Sequence, residues 1–421
     1  MDVGFVKSVK NFLIYLDGLP GARINQIIES KRGVRALVSN INRDLVEALL
    51  LGDADVKPGE MFGLLKTSLT VGVGKDVLGR VINPLGKSLD GRQKPKFSDR
   101  LLIFKKAPPL SDRRFISEQF VTGITLIDTI IPLGKGQREL ILGDAHSGKT
   151  DFLIEVIKNQ KKTGVISIYG AVGRPVSEIR HVFDTLKKAG ALSQTVIVAS
   201  SSNDSPPVVF LTPHTALTIA EYFQEQGQDV LVILDDLGNH AKIYREISLL
   251  GNKRPGREAY PGDIFYQHAR ILERAGCFSK EAGGGSITAL PVIEIGFVDF
   301  TTYIPTNLMA TTDGHLLFKA SLFAQGRRPA IDIFRSVSRV GSQTQERDQN
   351  VLAQKIKSIL AMASQYETVG RFATDLPAQT QTILKQKEKI TKIINQEEGF
   401  VSIREQVRRL SKIINQRAKH I

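Results

Sequence analysis

One octapeptide constrains this 421-residue chain more than any other stretch. Gly143-Asp144-Ala145-His146-Ser147-Gly148-Lys149-Thr150 has two glycines, a lysine and a threonine at the spacing of a phosphate-binding loop. The apolar run Leu140-Ile141-Leu142 precedes it and an amphipathic stretch, Asp151 to Lys158, follows. The loop therefore joins a buried strand to a helix, which is the context phosphate chemistry requires. Glycines let several backbone N–H groups point at the β-phosphate, and the helix N-terminus adds positive potential. Lys149 is expected on the β- and γ-phosphates and the Thr150 hydroxyl on Mg²⁺, so the whole octapeptide is a candidate site for ATP or ADP. His146 is read as a loop filler, with no role as a base.

Buried parallel strands need apolar residues on both faces, and three further runs meet that demand: Val165 to Tyr169, Thr195 to Val198 and Val230 to Leu234. The last ends in Asp235-Asp236, a carboxylate at the carboxyl end of a strand, where open α/β sheets bind ligands. Asp235 is the metal-associated candidate, and Asp236 the better candidate for a helix cap, because neighbours on a strand face opposite ways. ATP hydrolysis also needs a group to orient the attacking water. Where a glutamate would stand, after Val165 to Tyr169, the chain has Arg174, which cannot act as a base near neutral pH. Glu178 is a weaker substitute, so the pocket reads as one that binds nucleotide and cleaves it poorly.

At about 150 residues per domain, the length predicts two or three domains. Short β-rich runs (Phe12 to Leu16, Arg35 to Val38, Met61 to Leu65) alternate with turn signals and predict a small barrel or sandwich over 1–71. Residues 72–345 read as an α/β core, and 346–421 as helices with apolar faces at Leu352, Ile356, Ile359, Leu360 and Ala363, and at Ile403, Val407, Leu410, Ile413 and Ile414. Lys385 to Lys392 reads as a solvated helix face. The single cysteine, Cys277, permits no internal disulfide, and no apolar run nears the roughly 18 residues that span a bilayer. A cytoplasmic chain is expected. The charge is unusual: 57 Lys+Arg against 43 Asp+Glu give +14, which invites polyanions or an acidic partner.

Longer motifs point to one family. Gly136-Gln137-Arg138-Glu139, Gly256 to Asp263, Gly283-Gly284-Gly285-Ser286 with Ala289-Leu290-Pro291, and Tyr303 to Asn307 resemble the α subunits of F1-type ATP synthases. Pro329 to Asp332, followed by Ser336-Val337-Ser338-Arg339-Val340-Gly341, resembles the signature shared by α and β subunits. The resemblance runs in unbroken order from about residue 3 to 415. It implies an N-terminal β-barrel crown, a central RecA-like P-loop domain with a parallel sheet, and a C-terminal helical domain. It also implies an alternating ring with a β-type subunit around a γ-like central stalk, with α sites that hold Mg-nucleotide without turnover. Arg339 matches the arginine that α sends in trans to the β site, and Phe323, Arg328, Pro329 and Gln396 match adenine-side contacts. Association with the inner face of the cell membrane would be indirect, through the complex.

This chain departs from the family at both ends, which are shorter, and at Ala145-His146, where Arg-Gln is usual. Shortened F1-like copies of wall-less bacteria have such a form, and a missing stalk-binding extension puts the peripheral-stalk contact in question. A self-sufficient homohexameric export ATPase would instead require a glutamate near Arg174. An RNA-translocating hexamer would require a barrel with stacking aromatics and basic residues on one face, whereas residues 1–70 have only Phe5, Phe12, Tyr15 and Phe62. Residues 381–421 have ten Lys/Arg against four Asp/Glu, so much of the excess charge lies in the tail. It reads as a solvated or protein-facing surface, with no direct nucleic-acid role.

Overall fold

The computed structural model describes residues 2–42, 45–296, 300–370 and 377–415. Arg417 and Lys419, counted above in the basic tail, lie outside them. Six strands open the chain: β1 (Val3–Lys10), β2 (Leu13–Gly18), β3 (Gln26–Ser30), β4 (Arg35–Ile41), β5 (Val46–Leu50) and β6 (Met61–Ser68). They close into an antiparallel barrel in the order β1-β2-β5-β4-β3-β6, with β6 returning to β1. Apolar side chains drive closure: Leu13, Ile14, Leu16, Ile28, Ala36, Val38 and Phe62 are all buried with at most 3% exposure. Phe12 and Phe62 are thus spent on packing, and Phe5 alone of the barrel's phenylalanines is mostly exposed. Among the described residues the barrel presents one mostly exposed phenylalanine and no row of exposed aromatic rings.

Short strands follow. β7 (Thr70–Val73) pairs with β9 (Asp99–Leu102), and β10 (Gln119–Phe120) with β11 (Leu133–Gly134), while β8 (Val81–Ile82) joins the main sheet. That sheet also contains β12 (Glu139–Gly143), β13 (Ile166–Arg174), β14 (Thr195–Ser201), β15 (Asp229–Asp235), β16 (Gly276–Cys277), β17 (Ser286–Glu294), β18 (Gly314–Phe318) and β19 (Val337–Ser338). Its order is β19-β18-β12-β17-β15-β13-β14-β8, parallel except for β19 on the β18 edge and β16 beside β17. The continuous apolar runs are explained by two cores. Leu140, Leu142, Val230, Val232 and Leu234 face one, and Ile141, Leu231 and Ile233 the other.

Helices α1 (Thr125–Ile130), α2 (Lys149–Thr163) and α3 (Val176–Lys188) cover the second face. Helices α4 (Pro206–Gln224), α5 (Leu237–Leu250), α6 (Ile264–Leu272) and α7 (Tyr303–Thr311) cover the first. The short α8 (Ala320–Ala324) lies beside the phosphate loop, and α9 (Arg347–Gly370), α10 (Ala378–Ile394) and α11 (Ile403–Asn415) complete the C-terminal layer. Leu352, Ile356, Ile359, Leu360, Ala363, Leu410 and Ile413 are buried there as their spacing predicts, and Lys385, Glu388, Lys389 and Lys392 face solvent. Gln406 is a surprise, fully buried within the apolar face of α11. Its Nε2 donates to Asp128 Oδ2 at 2.9 Å, and that carboxylate also accepts from Thr122 N, Thr122 Oγ1 and Gly123 N. The pairing ties the terminal helix to α1. Among the described residues no helix is long and apolar enough to cross a membrane. Cys277 is buried, and burial raises its thiol pKa.

Candidate nucleotide site

Strand β12 runs between β18 and β17, with Gly143 opposite Phe318 on one side and Glu294 on the other. A side chain at Gly143 would put its Cβ 2.4 Å from the Phe318 carbonyl oxygen, so glycine here lets the chain leave the sheet. The loop turns through His146 at φ 55° and caps α2 with Gly148 at φ 81°, a left-handed conformation suited to glycine. The helix starts at Lys149, two residues earlier than the amphipathic pattern indicated. Ser147 Oγ donates to the Asp144 carbonyl at 2.7 Å, and Ala320 N donates to Asp144 Oδ2 at 3.3 Å. His146 is exposed and lines the cleft.

Lys149 is 8% exposed and folds over the loop, donating to the carbonyls of Gly143 at 2.9 Å and Asp144 at 2.5 Å. Burial lowers its pKa, against the opposing pull of Glu294 and the two aspartates. An arriving phosphate would exchange those carbonyls for a full anionic partner, the stronger hydrogen-bond acceptor. Thr150 lies in the first turn of α2, within the same cleft of about 790 Å³. That cleft is lined by all of the loop from Ala145 onward, by Arg174, Asp235, Asp236 and Glu294, and by Phe323.

Asp235 ends β15 and is 3% exposed, with Tyr169 Oη donating to its Oδ2 at 2.5 Å. Asp236 caps α5 through Oδ1, which accepts from Asn239 N, as expected of the second carboxylate. Burial and the neighbouring Asp235 raise the Asp236 carboxyl pKa to about 6. Arg174 ends β13, three strands from the loop-bearing β12 and next to β15, and reaches across this floor. Its Nη2 pairs with Glu178 Oε2 at 2.5 Å, its Nε lies 3.7 Å from Asp235 Oδ2, and its Nη1 lies 3.9 Å from Asp236 Oδ2. Glu178 is therefore held in an ion pair with Arg174.

The residues expected on the base side gather around Phe323. Its ring lies against Gly148, close enough that a Cβ there would fall 2.6 Å from it, and the Arg328 guanidinium stacks 3.5 Å from the ring centroid. Arg328 Nη1 donates to the Phe323 carbonyl at 2.9 Å, and Pro329 follows Arg328 directly. Gln396 is not brought into this group. Its Oε1 accepts from Thr125 N and Oγ1, and its Nε2 donates to the Gly123 and Gly399 carbonyls. Only its backbone N approaches, donating to the Arg328 carbonyl at 2.7 Å.

Arg339 lies elsewhere. It follows β19, whose Ser338 pairs with Gly314 at the start of β18, while the phosphate loop stands at the Phe318 end. Four residues of strand, about 13 Å, separate the two ends. The turn that holds it is tight, since a Cβ at Gly341 would fall 1.6 Å from the Pro132 carbonyl oxygen. Ser338 Oγ donates to that same oxygen at 2.6 Å. Arg339 itself is exposed, with Nη1 3.4 Å from the Thr312 carbonyl.

Two residues escaped the sequence reading, Glu294 in the cleft wall and Tyr169 buried behind Asp235. Glu294 ends β17 with Oε2 4.0 Å from Lys149 Nζ. The signal was there, an apolar run finishing in a carboxylate, as with Asp235. Tyr169 was read as one apolar position among several, and only the Asp235 contact reveals its polar end.

The nucleotide-binding domain model of the ATP synthase alpha/beta family matches residues 123–338. The chain is 41% identical over 406 residues to ATP synthase subunit alpha 1 of Chlorobium luteolum, covering 96% of this chain and 80% of that one. It is 42% identical over 396 residues to ATP synthase subunit alpha of Metamycoplasma arthritidis (94% and 75%), and 40% over 416 residues to that of Wolbachia pipientis (96% and 81%). A phosphate loop at the head of a parallel sheet, a closed barrel before it and helices after it agree with those matches, and the chain belongs to the α subunits of the F1-type ATP synthase family.

Proposed function

We propose that this α-type subunit is the non-catalytic, ATP- or ADP-binding partner in a ring with a β-type ATPase subunit. The ring would surround a γ-like stalk and attach to the inner membrane face through the complex. The carrying observation is Arg174 where a base is needed, its guanidinium paired with Glu178 and close to both aspartates. Loop residues 143–150 would hold the phosphates, with Phe323, Arg328 and Pro329 on the base side. Gln396 would act through the backbone of Arg328. Any Mg²⁺ that accompanies the nucleotide would be held by Thr150 directly and by Asp235 through its shell, oxygen donors of the kind a hard cation takes. The Arg174 guanidinium, 3.7 Å from the Asp235 carboxylate, already supplies positive charge there, so the ion would add little to phosphate neutralisation in this pocket.

Arg339, exposed and beyond reach of its own loop, would extend to the partner's site and stabilise charge on the transferring phosphoryl group. The division at 71 and 345 into crown, nucleotide-binding and helical parts belongs to the same reading. Purified alone, the chain should bind nucleotide and turn it over negligibly, and turnover should appear on mixing with a β-type partner. Substantial hydrolysis by the chain alone would favour the self-sufficient hexamer instead.

A further inference from the structure

Arg174 does more than remove a base. The two carboxylates at the end of β15 form the acidic floor of the cleft, and the Arg174 side chain, 21% exposed, lies over both. Its Nε is buried and has no hydrogen-bond partner among the described residues. A fixed guanidinium is a planar, permanently charged group whose fork matches phosphate oxygens, which a point charge does not. Within one cleft the chain therefore carries Lys149 against the loop and a second cation, Arg174, over the acidic floor, the place where a divalent ion would otherwise balance the two aspartates.

We propose that Arg174 stands in for the divalent cation in this pocket. Its guanidinium balances Asp235 and Asp236 and, on exchanging Glu178 for the ligand, donates to the terminal phosphate. Nucleotide binding to this subunit then depends little on Mg²⁺. The proposal rests on the nucleotide-pocket reading above.

The test is equilibrium binding of a fluorescent ATP analogue to the full chain, in excess Mg²⁺ and in EDTA. The wild type should differ by less than about threefold between the two, whereas Arg174→Gln should lose about ten- to a hundredfold in EDTA alone, the value of one or two charge-assisted hydrogen bonds. Arg174→Lys, which keeps the charge without the fork, should fall between them. Wild-type binding that requires Mg²⁺ would overturn the proposal and leave the pocket reading standing. So would an Arg174→Gln variant that binds equally in both conditions. Absence of binding in either condition would overturn the pocket reading and this proposal with it.

Discussion

Replacing Gly148 with Ala perturbs the pocket at its hinge. The residue holds φ 81° at the cap of α2, and a Cβ built there falls 2.6 and 2.7 Å from Phe323 Cε2 and Cδ2. The left-handed backbone costs an alanine about 1–2 kcal/mol. Pushing the ring aside adds about 1–3 kcal/mol of overpacking. The Arg328 stack holds Phe323 at 3.5 Å, so the ring cannot yield freely, and the base-side wall must shift with it. If the strain falls on the bound state, nucleotide affinity drops at least about thirtyfold, equivalent to the lower limit of about 2 kcal/mol. If it falls on the folded state, the melting temperature drops instead. Fluorescent-nucleotide titration and calorimetry together capture both. The double variant Gly148→Ala with Phe323→Ala should regain the steric part and keep the backbone part, leaving a coupling of about 1–3 kcal/mol in a double-mutant cycle. A Gly148→Ala protein that binds and melts like the wild type would refute the geometry of the loop against Phe323.

Two further outcomes concern stability. His214 and His240 are buried against the Phe210 ring and His268 is buried against His240, and the His240 pKa is pushed down to about 4 by desolvation. In the unfolded chain His240 takes up its proton near 6.5, so the stability from its neutral burial is complete above that pH and is lost as pH falls toward about 4, on the order of 3 kcal/mol. The melting temperature of the wild type minus that of His240→Phe should shrink between pH 7 and 5. Taking this difference cancels Asp128 and Asp236, whose raised carboxyls act with opposite sign; a flat difference would contradict it. Arg274, 1% exposed, pairs with Glu221 through Nε at 2.6 Å and Nη2 at 2.9 Å. Arg274→Ala should cost about 3 kcal/mol in urea unfolding, the lower end for a broken buried pair, because Lys105 Nζ stays 3.2 Å from Glu221. Arg274→Met with Glu221→Leu should recover most of it.

Much of this architecture was legible from residue pattern. The loop's spacing, the apolar runs and the Asp235-Asp236 pair identified sheet, pocket and helix cap, because buried parallel strands and phosphate loops tolerate few residue types. What escaped depends on contacts remote in sequence. Gln406 sits on an otherwise apolar stripe, and nothing local reveals that Asp128 receives it, 278 residues away. Gln396 fitted a family position, but the turn at Gly399 directs its amide to Thr125 and Gly123. Arg174 was legible as a missing base; that it lies over both aspartates required the pairing of β13 with β15, where Ala171 is opposite Asp235.

We propose above that this subunit serves its partner's chemistry and not its own. The direct measurement is steady-state ATP hydrolysis by the reconstituted mixed ring with Arg339→Ala, beside nucleotide titration of the isolated variant chain. The account predicts turnover lower by roughly 10³-fold or more with the chain's own nucleotide affinity unchanged. Undiminished turnover in the variant ring would contradict it.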